Sequence, residues 1–365
     1  MSLSTLTDRT VPLVKVDLCP FSVPAPASAS HHRAVRTDAR SDDVRGWLVG
    51  VTDGKAWGWW GPVPEAVAVL APELLSAAFT VLPAEVELES FARRLRRATR
   101  HAHTGVLALT VGSLELAAWD LAAKRAGLPV WALIAPSVSR DTVPAYATCF
   151  GVNPEPARVS QVMDEVADTF AVQKWRPDVL RSDLLRLTEA FAARRGPARI
   201  AVDFFGAWDP GRVRDVCAPL SQVLAWVEEP YHPDEVHLAN PGEFGVPHAA
   251  GEHCYGPADA TQLVAGHVDI WQPDAVFCGG WMNLRELVHA AALAGPACMP
   301  HGGGFLPALH LSVLGERIAM LELHLLLEPR RLAHLADPPR TDEAELAIPQ
   351  APGWGGELRK GLADG

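Results

Sequence analysis

The sequence predicts an α/β protein built around a (β/α)8 barrel, and three observations carry that prediction. Polar residues recur at near-even steps: Asp203, Glu228, Glu252, Asp274 and His301 are separated by 25, 24, 22 and 27 residues. Each follows a short apolar run and precedes turn residues or a helix-like stretch. From 143 to about 327, short apolar strand candidates alternate with helical stretches, the pattern of βα units on a parallel sheet. Such a barrel spends about 30 residues per unit, so a polar residue at one phase of successive units lands at the C-terminal mouth. Converging carboxylates repel, and the simplest remedy is a divalent cation with oxygen ligands, Mg²⁺ foremost. One such acid alone would also serve as a helix N-cap; five polar residues at this spacing point to a site.

Composition bounds the rest. The 365 residues are 48% apolar and 21% charged, as in an ordinary globular enzyme of one or two domains. A net charge of −11 argues against a nucleic-acid surface. No continuous apolar run reaches the roughly 18–20 residues of a membrane span, and residues 1–12 lack the pattern of a signal peptide. Cys19, Cys149, Cys217, Cys254, Cys278 and Cys298 show no CxxC spacing and read as thiols in a reducing cytosol. A cytoplasmic protein is expected.

Residues 13–18 alternate like a strand, and 20–33, rich in Pro, Ala and Ser and containing His31 and His32, read as a loop. Residues 45–60 read as a hairpin turning at Thr52-Asp53-Gly54, with Trp57, Trp59 and Trp60 as packing residues. Two helical pieces lie between 64 and 97, broken near Pro83, with Arg93, Arg94, Arg96 and Arg97 on a solvated face. The clearest helix runs over 113–126, capped by Ser113 and stopped by Gly127 and Pro129. Barrel strands are expected at 143–148, 171–175, 199–202, 224–227, 246–250, 270–273 and 297–300. The eighth falls near 319–325, a stretch that also reads as helix. The tail from 337 is rich in Pro and Gly and should pack back on the N-terminal part.

These segments also carry a resemblance. Gly-Ser-Leu-Glu-Leu-Ala-Ala-Trp-Asp (112–120), Val-Pro-Ala-Tyr-Ala-Thr (143–148), Trp-Val-Glu-Glu-Pro (226–230), Asp-Ile-Trp-Gln-Pro-Asp (269–274) and Ala-Ile-Pro-Gln-Ala-Pro-Gly-Trp-Gly (347–355) together resemble the mandelate racemase branch of the enolase superfamily. The resemblance implies a modified (β/α)8 barrel at 137–334 beneath an α+β capping domain formed by 1–136 with 335–365. It implies removal of the proton α to a carboxylate, with Mg²⁺ stabilising the enediolate. By position, Asp203, Glu228 and Glu252 match the metal ligands, with Glu229 and His253 as their neighbours. His301 and Asp274 match a His–Asp dyad in which the carboxylate fixes the imidazole tautomer. Lys174 matches the residue that holds the substrate carboxylate. Glu322 resembles the acid on the last strand, and Glu316 competes for that place.

Two departures shape the expected reaction. Where the branch shows Lys-x-Lys, this chain has Lys174-x-Arg176, and a guanidinium stays protonated at neutral pH. Phe205 stands where many relatives carry asparagine, which removes a polar substrate contact and implies either a less hydroxylated substrate or a different binding pose. The leading expectation is dehydration of a sugar acid to a 2-keto-3-deoxy acid by His301. The alternatives are racemisation or epimerisation of a 2-hydroxy acid, and a catalytically silent metal-binding barrel. The loops at 20–33 and 52–62, with His31, His32 and Trp57, are the expected specificity elements, and a homo-oligomer is expected.

Overall fold

The computed structural model describes residues 10–11, 15–24, 43–79, 86–135, 137, 139–149, 163–176, 200–314 and 318–362. Near the N-terminus, β1 (Thr10–Val11) will pair with a later strand, while β2 (Lys15–Pro24), β3 (Asp43–Thr52) and β4 (Trp57–Val63) form an antiparallel sheet. Asp53 makes the β3–β4 turn by accepting from the backbone N–H groups of Lys55 (2.9 Å) and Ala56 (2.7 Å). The expected loop at 20–33 is corrected at its start: Pro20 to Pro24 continue β2 along the edge of the sheet, where proline's missing donor costs no ladder bond. His31 and His32 lie outside the described residues.

Helices α1 (Glu65–Ala78) and α3 (Val106–Ala126) cover this sheet, α2 (Leu88–Ala98) packs on both of them, and β5 (Val86–Glu87) pairs with β1. Ser113 does not begin α3. It lies inside it, fully buried, and its hydroxyl donates to the Leu109 carbonyl at 2.7 Å. The apolar run from Val106 shows no polar face because nearly every side of this helix is buried. By length and composition α3 could cross a membrane, yet 83% of that window is buried within the protein. The helix stops at Gly127 in the left-handed conformation (φ 67°). Gly58 lets β4 lie directly on α3, since a Cβ there would collide with the Ala117 carbonyl and the Leu121 backbone.

The barrel strands are β6 (Thr142–Thr148), β7 (Gln173–Trp175), β8 (Ile200–Asp203), β9 (Leu224–Glu228), β10 (His248–Ala250), β11 (Ile270–Trp271), β12 (Ala297–Cys298) and β13 (Leu321–His324). Each runs parallel to its sequence neighbour, and β13 returns beside β6. A parallel bridge from Cys298 to Ile318, with Ala319 N–H donating to the Cys298 carbonyl (2.9 Å), closes the ring. The eighth segment is therefore a strand. Helices α4 (Pro210–Cys217), α5 (Ala260–Ala265), α6 (Trp281–Ala294) and α7 (Phe305–Leu311) lie in the connections. β9 is followed by a 3-10 helix, Pro233–Leu238.

The tail returns as expected and also extends the sheet: β14 (Glu345–Ala347) pairs antiparallel with β6. On α3, Asp120 accepts from the backbone N–H groups of Trp59 (2.9 Å) and Trp354 (3.0 Å) and pairs with Lys124 (2.7 Å). One buried carboxylate thus joins hairpin, helix and tail. All six cysteines are free.

Candidate active site

Alternation along the strands aims Tyr146, Thr148, Lys174, Asp203, Trp226, Glu228, Gln272 and Glu322 into the barrel. All eight are buried. Lys174 is the centre of charge. Its ammonium pairs with Glu228 Oε1 and with Glu322 Oε1 (2.9 Å). Burial pushes the Lys174 ammonium down, but Glu228 and Glu322 outweigh it and hold the group well above its ordinary range. The second oxygen of Glu228 accepts from Gln272 Nε2 (2.7 Å) and Trp226 Nε1 (3.1 Å). Glu322 also accepts from Thr148 Oγ1 (2.6 Å) and the Gly302 N–H (3.1 Å). Tyr146, Thr148, Trp226 and Gln272 went unnoticed in the sequence, though Trp226 and Gln272 each stand two residues before an expected site acid.

At the mouth, His301 donates from Nδ1 to Asp274 Oδ2 (2.8 Å), while its Nε2 lies 2.9 Å from Glu252 Oε2 and 3.9 Å from Glu322. The other oxygen of Asp274 accepts the backbone N–H groups of Val276 (2.7 Å) and Phe277 (3.0 Å). The Gly303 N–H points at Nδ1 from 3.1 Å, and a Cβ at Gly303 would collide with the Asp274 carboxylate. Burial lowers the His301 pKa, but Glu252, Glu322 and Asp274 outweigh it and raise it well above the usual value. Burial raises Glu252, but His301 beside it brings that carboxyl down to about 2.

Asp203 and Glu228 are paired across β8 and β9, and Glu252 follows β10. Burial first, then Glu228, raises Asp203 well above the carboxylate range; burial also raises Glu228, against the pull of Lys174. Buried carboxylates short of positive charge, with oxygen donors only, fit a hard divalent cation. A tighter grouping shares Glu252: ligand atoms of Glu229, Glu252 and His253 all lie within 4.8 Å of one another. In it His253 Nδ1 sits 2.6 Å from Glu229 Oε1, and Glu229 Oε2 is buried without a partner.

Arg176 lies over the Phe205 ring, its guanidinium carbon 4.0 Å from the centroid. Phe205 has a left-handed backbone (φ 56°), an outlier for an aromatic residue, held by its N–H bond to Asp203 Oδ1 (2.8 Å). Both residues line a cavity of about 470 Å³ at the barrel mouth, together with Trp60, Glu252, Asp274, His301 and Glu322. Trp57 does not belong to it: that ring stacks on Trp59 (5.0 Å between centroids) and lines a separate depression with Lys124. Arg96, expected on a solvated face, turns in to Glu115 (3.4 Å) on α3. Glu316 lies outside the described residues.

A family model described as enolase C-terminal domain-like matches residues 157–362, more than half of the chain. Among solved structures the chain is similar to an enolase from Bradyrhizobium complexed with magnesium and mandelic acid (TM-score 0.77, 20% identity, 98% of each chain covered). It is similar to a mandelate racemase/muconate lactonizing enzyme from Jannaschia sp. CCS1 (0.77, 21%, 97% of each). A third is the L-talarate dehydratase from Polaromonas sp. JS666 complexed with Mg and L-glucarate (0.74, 22%, 96% of each).

Proposed function

Because the chain belongs to the enolase superfamily, in the family of mandelate racemases and muconate lactonizing enzymes, we propose that it removes the proton α to the carboxylate of a small organic acid. The observation that carries this reading is the arrangement of His301: tied to Asp274 through Nδ1, it presents Nε2 among Glu252, Glu322 and the mouth cavity. Asp203, Glu228 and Glu252 would hold Mg²⁺, which supplies electrostatic stabilisation for the negative charge that develops on the substrate carboxylate. Relatives solved with magnesium and with mandelic acid or L-glucarate are in keeping with this. Residues 1–136 with 335–365 serve as the cap over a barrel of 137–334.

Lys174 neutralises the barrel floor and orients the substrate carboxylate, with Glu322 fixing the ammonium. Asp274 keeps the proton on Nδ1, so the Nε2 lone pair can take the α-proton once Glu252 is neutralised. The step we propose is dehydration. His301 takes the proton from C2 of a 2,3-dihydroxy acid, of the kind represented by sugar acids, and returns it to the departing C3 hydroxyl. Water leaves, and the enol tautomerises to the 2-keto-3-deoxy acid. Racemisation would need a second base, and the residue at that place, Arg176, carries a guanidinium, a poor general base.

The test is incubation with Mg²⁺ and a panel of sugar acids and 2-hydroxy acids in D₂O, followed by NMR. A 2-keto-3-deoxy product that vanishes in His301→Asn is the expected result. Deuterium at C2 with inversion and no elimination would assign a racemase. A chain that exchanges no α-proton of any acid would be a silent barrel.

A further inference from the structure

The mouth cavity joins the reacting groups to a lining that is mostly apolar, although Arg176, Glu328 and Arg331 also belong to it. Among the described residues its outer wall includes Trp60 and Val63 from β4, Phe277 after β11 and Phe305 at the start of α7. Phe205 and Leu327 complete it, and both are unusually exposed for large apolar side chains, at 43% and 38%. Exposed apolar surface of this kind gains free energy when a ligand covers it. Three polar side chains on the same wall already hold partners within the protein, and Arg176 lies over the Phe205 ring. Ser113 donates to the Leu109 carbonyl (2.7 Å). Arg331 donates to the Gly302 carbonyl (2.9 Å) and to Glu328 (3.3 Å). His324 Nδ1 accepts from the Leu327 N–H (3.2 Å). A polyol arm would meet a mostly apolar wall with few polar groups to serve several hydroxyls, and each hydroxyl buried without a partner costs binding.

From this lining we infer that the substrate is a 2,3-dihydroxy acid whose arm beyond C3 is an alkyl or aryl group, and that Phe205 is the specificity-determining residue. It resembles a sugar acid only at its carboxylate, C2 and C3. This rests on the α-proton reading above and narrows its substrate class. Phe205 puts an aromatic face into that lining, fixed beneath Arg176 and beside the Asp203 carboxylate. Its φ of 56° is one that asparagine tolerates far better than phenylalanine. Phe205→Asn therefore suits the backbone while replacing an apolar contact by a donor and an acceptor.

The experiment compares 2,3-dihydroxy-3-phenylpropanoate with straight-chain hexonates, all stereoisomers, on the Mg²⁺-loaded protein. Calorimetry gives Kd, and NMR in D₂O gives kcat/KM for loss of the C2 proton. The phenyl acid should be preferred about tenfold or more in both, the scale on which an apolar pocket discriminates. Phe205→Asn should shrink that ratio. Equal or better binding of the hexonates by the wild type overturns the inference and leaves the reaction standing. Tighter binding of the phenyl acid without exchange of either compound supports the inference and defeats the proposed reaction. Failure to bind either acid overturns the inference, and an unchanged ratio in Phe205→Asn removes Phe205 from it.

Discussion

Replacing Asp274 by asparagine should disable His301 through its tautomer, and the surroundings of the side chain dictate how. Asp274 Oδ1 accepts two backbone N–H groups, from Val276 and Phe277. An asparagine must keep its oxygen there, because the reverse orientation would set donors against donors. Its NH₂ then faces His301 Nδ1, which becomes an acceptor, and the Gly303 N–H, 3.1 Å away, adds a second donor. The imidazole proton moves to Nε2, where the lone pair is needed. Two neutral hydrogen bonds at about 1 kcal/mol each favour this wrong tautomer. Losing the charged partner of the imidazolium adds about 1.5–3 kcal/mol. The total of about 4 kcal/mol corresponds to roughly a thousandfold loss in the proton-transfer rate. The assay is C2-proton exchange in D₂O with the best acid of the panel, with Mg²⁺, alongside ¹⁵N NMR of the histidine rings to read the tautomer. Activity within tenfold of wild type, or an unchanged tautomer, would refute the reasoning.

Lys174→Met should destabilise the protein by about 3–5 kcal/mol in EDTA, because Glu228 and Glu322 lose their buried cation. Added Mg²⁺ should recover part of that loss, read as urea midpoints with and without metal; a cost below 1 kcal/mol, or the same cost in both, would count against the charge arrangement. His310 supplies a pH prediction. Its Nδ1 accepts from Trp131 N–H (3.2 Å) and its Nε2–H donates to the Trp354 carbonyl (3.0 Å). Burial lowers its pKa to about 4, below the unfolded value near 6.5, so the unfolded chain binds the extra proton first. Its contribution is intact above pH 6.5 and declines as pH falls towards 4, by about 2 kcal/mol at pH 5. Stability curves of His310→Gln, whose amide does not titrate, should be flatter than wild type by that amount between pH 7.5 and 5; parallel curves would contradict this.

Barrel strands were legible because a buried parallel strand is a short apolar run, and because each run here ends in a polar residue or a turn. The stretch around Glu322 was ambiguous because Met-Leu-Glu-Leu-His-Leu alternates as a strand and also fits one helical turn; pairing with β6 decides it. The start of α3 was misplaced by seven residues, from Val106 to Ser113. Burial on all sides erases the periodicity by which helices are read, and a serine in mid-helix resembles a cap. The partners of Glu228 were illegible for another reason. Gln272, one residue past β11, stands 44 residues from Glu228 in sequence and meets it only when the barrel closes, while Trp226 is an ordinary strand residue two before Glu228. Trp57 was misjudged because a hairpin position does not tell which of its tryptophans faces the mouth; Trp60 does.

The carboxylate of Asp120 has a consequence for synthesis of the chain. It waits for two backbone N–H groups, one 61 residues upstream at Trp59 and one 234 residues downstream at Trp354. A polypeptide emerging from the ribosome with its N-terminus first can fold its hairpin against α3 early. The second N–H reaches Asp120 only once residue 354 has been made. Contacts of such sequence separation close late, so the Trp354 ring, 6.1 Å from Trp60, packs against that part of the mouth cavity's wall after the hairpin is in place. Shortening the tail before residue 354 would leave Asp120 with Trp59 and Lys124 as its partners and remove the Trp354 ring from beside Trp60.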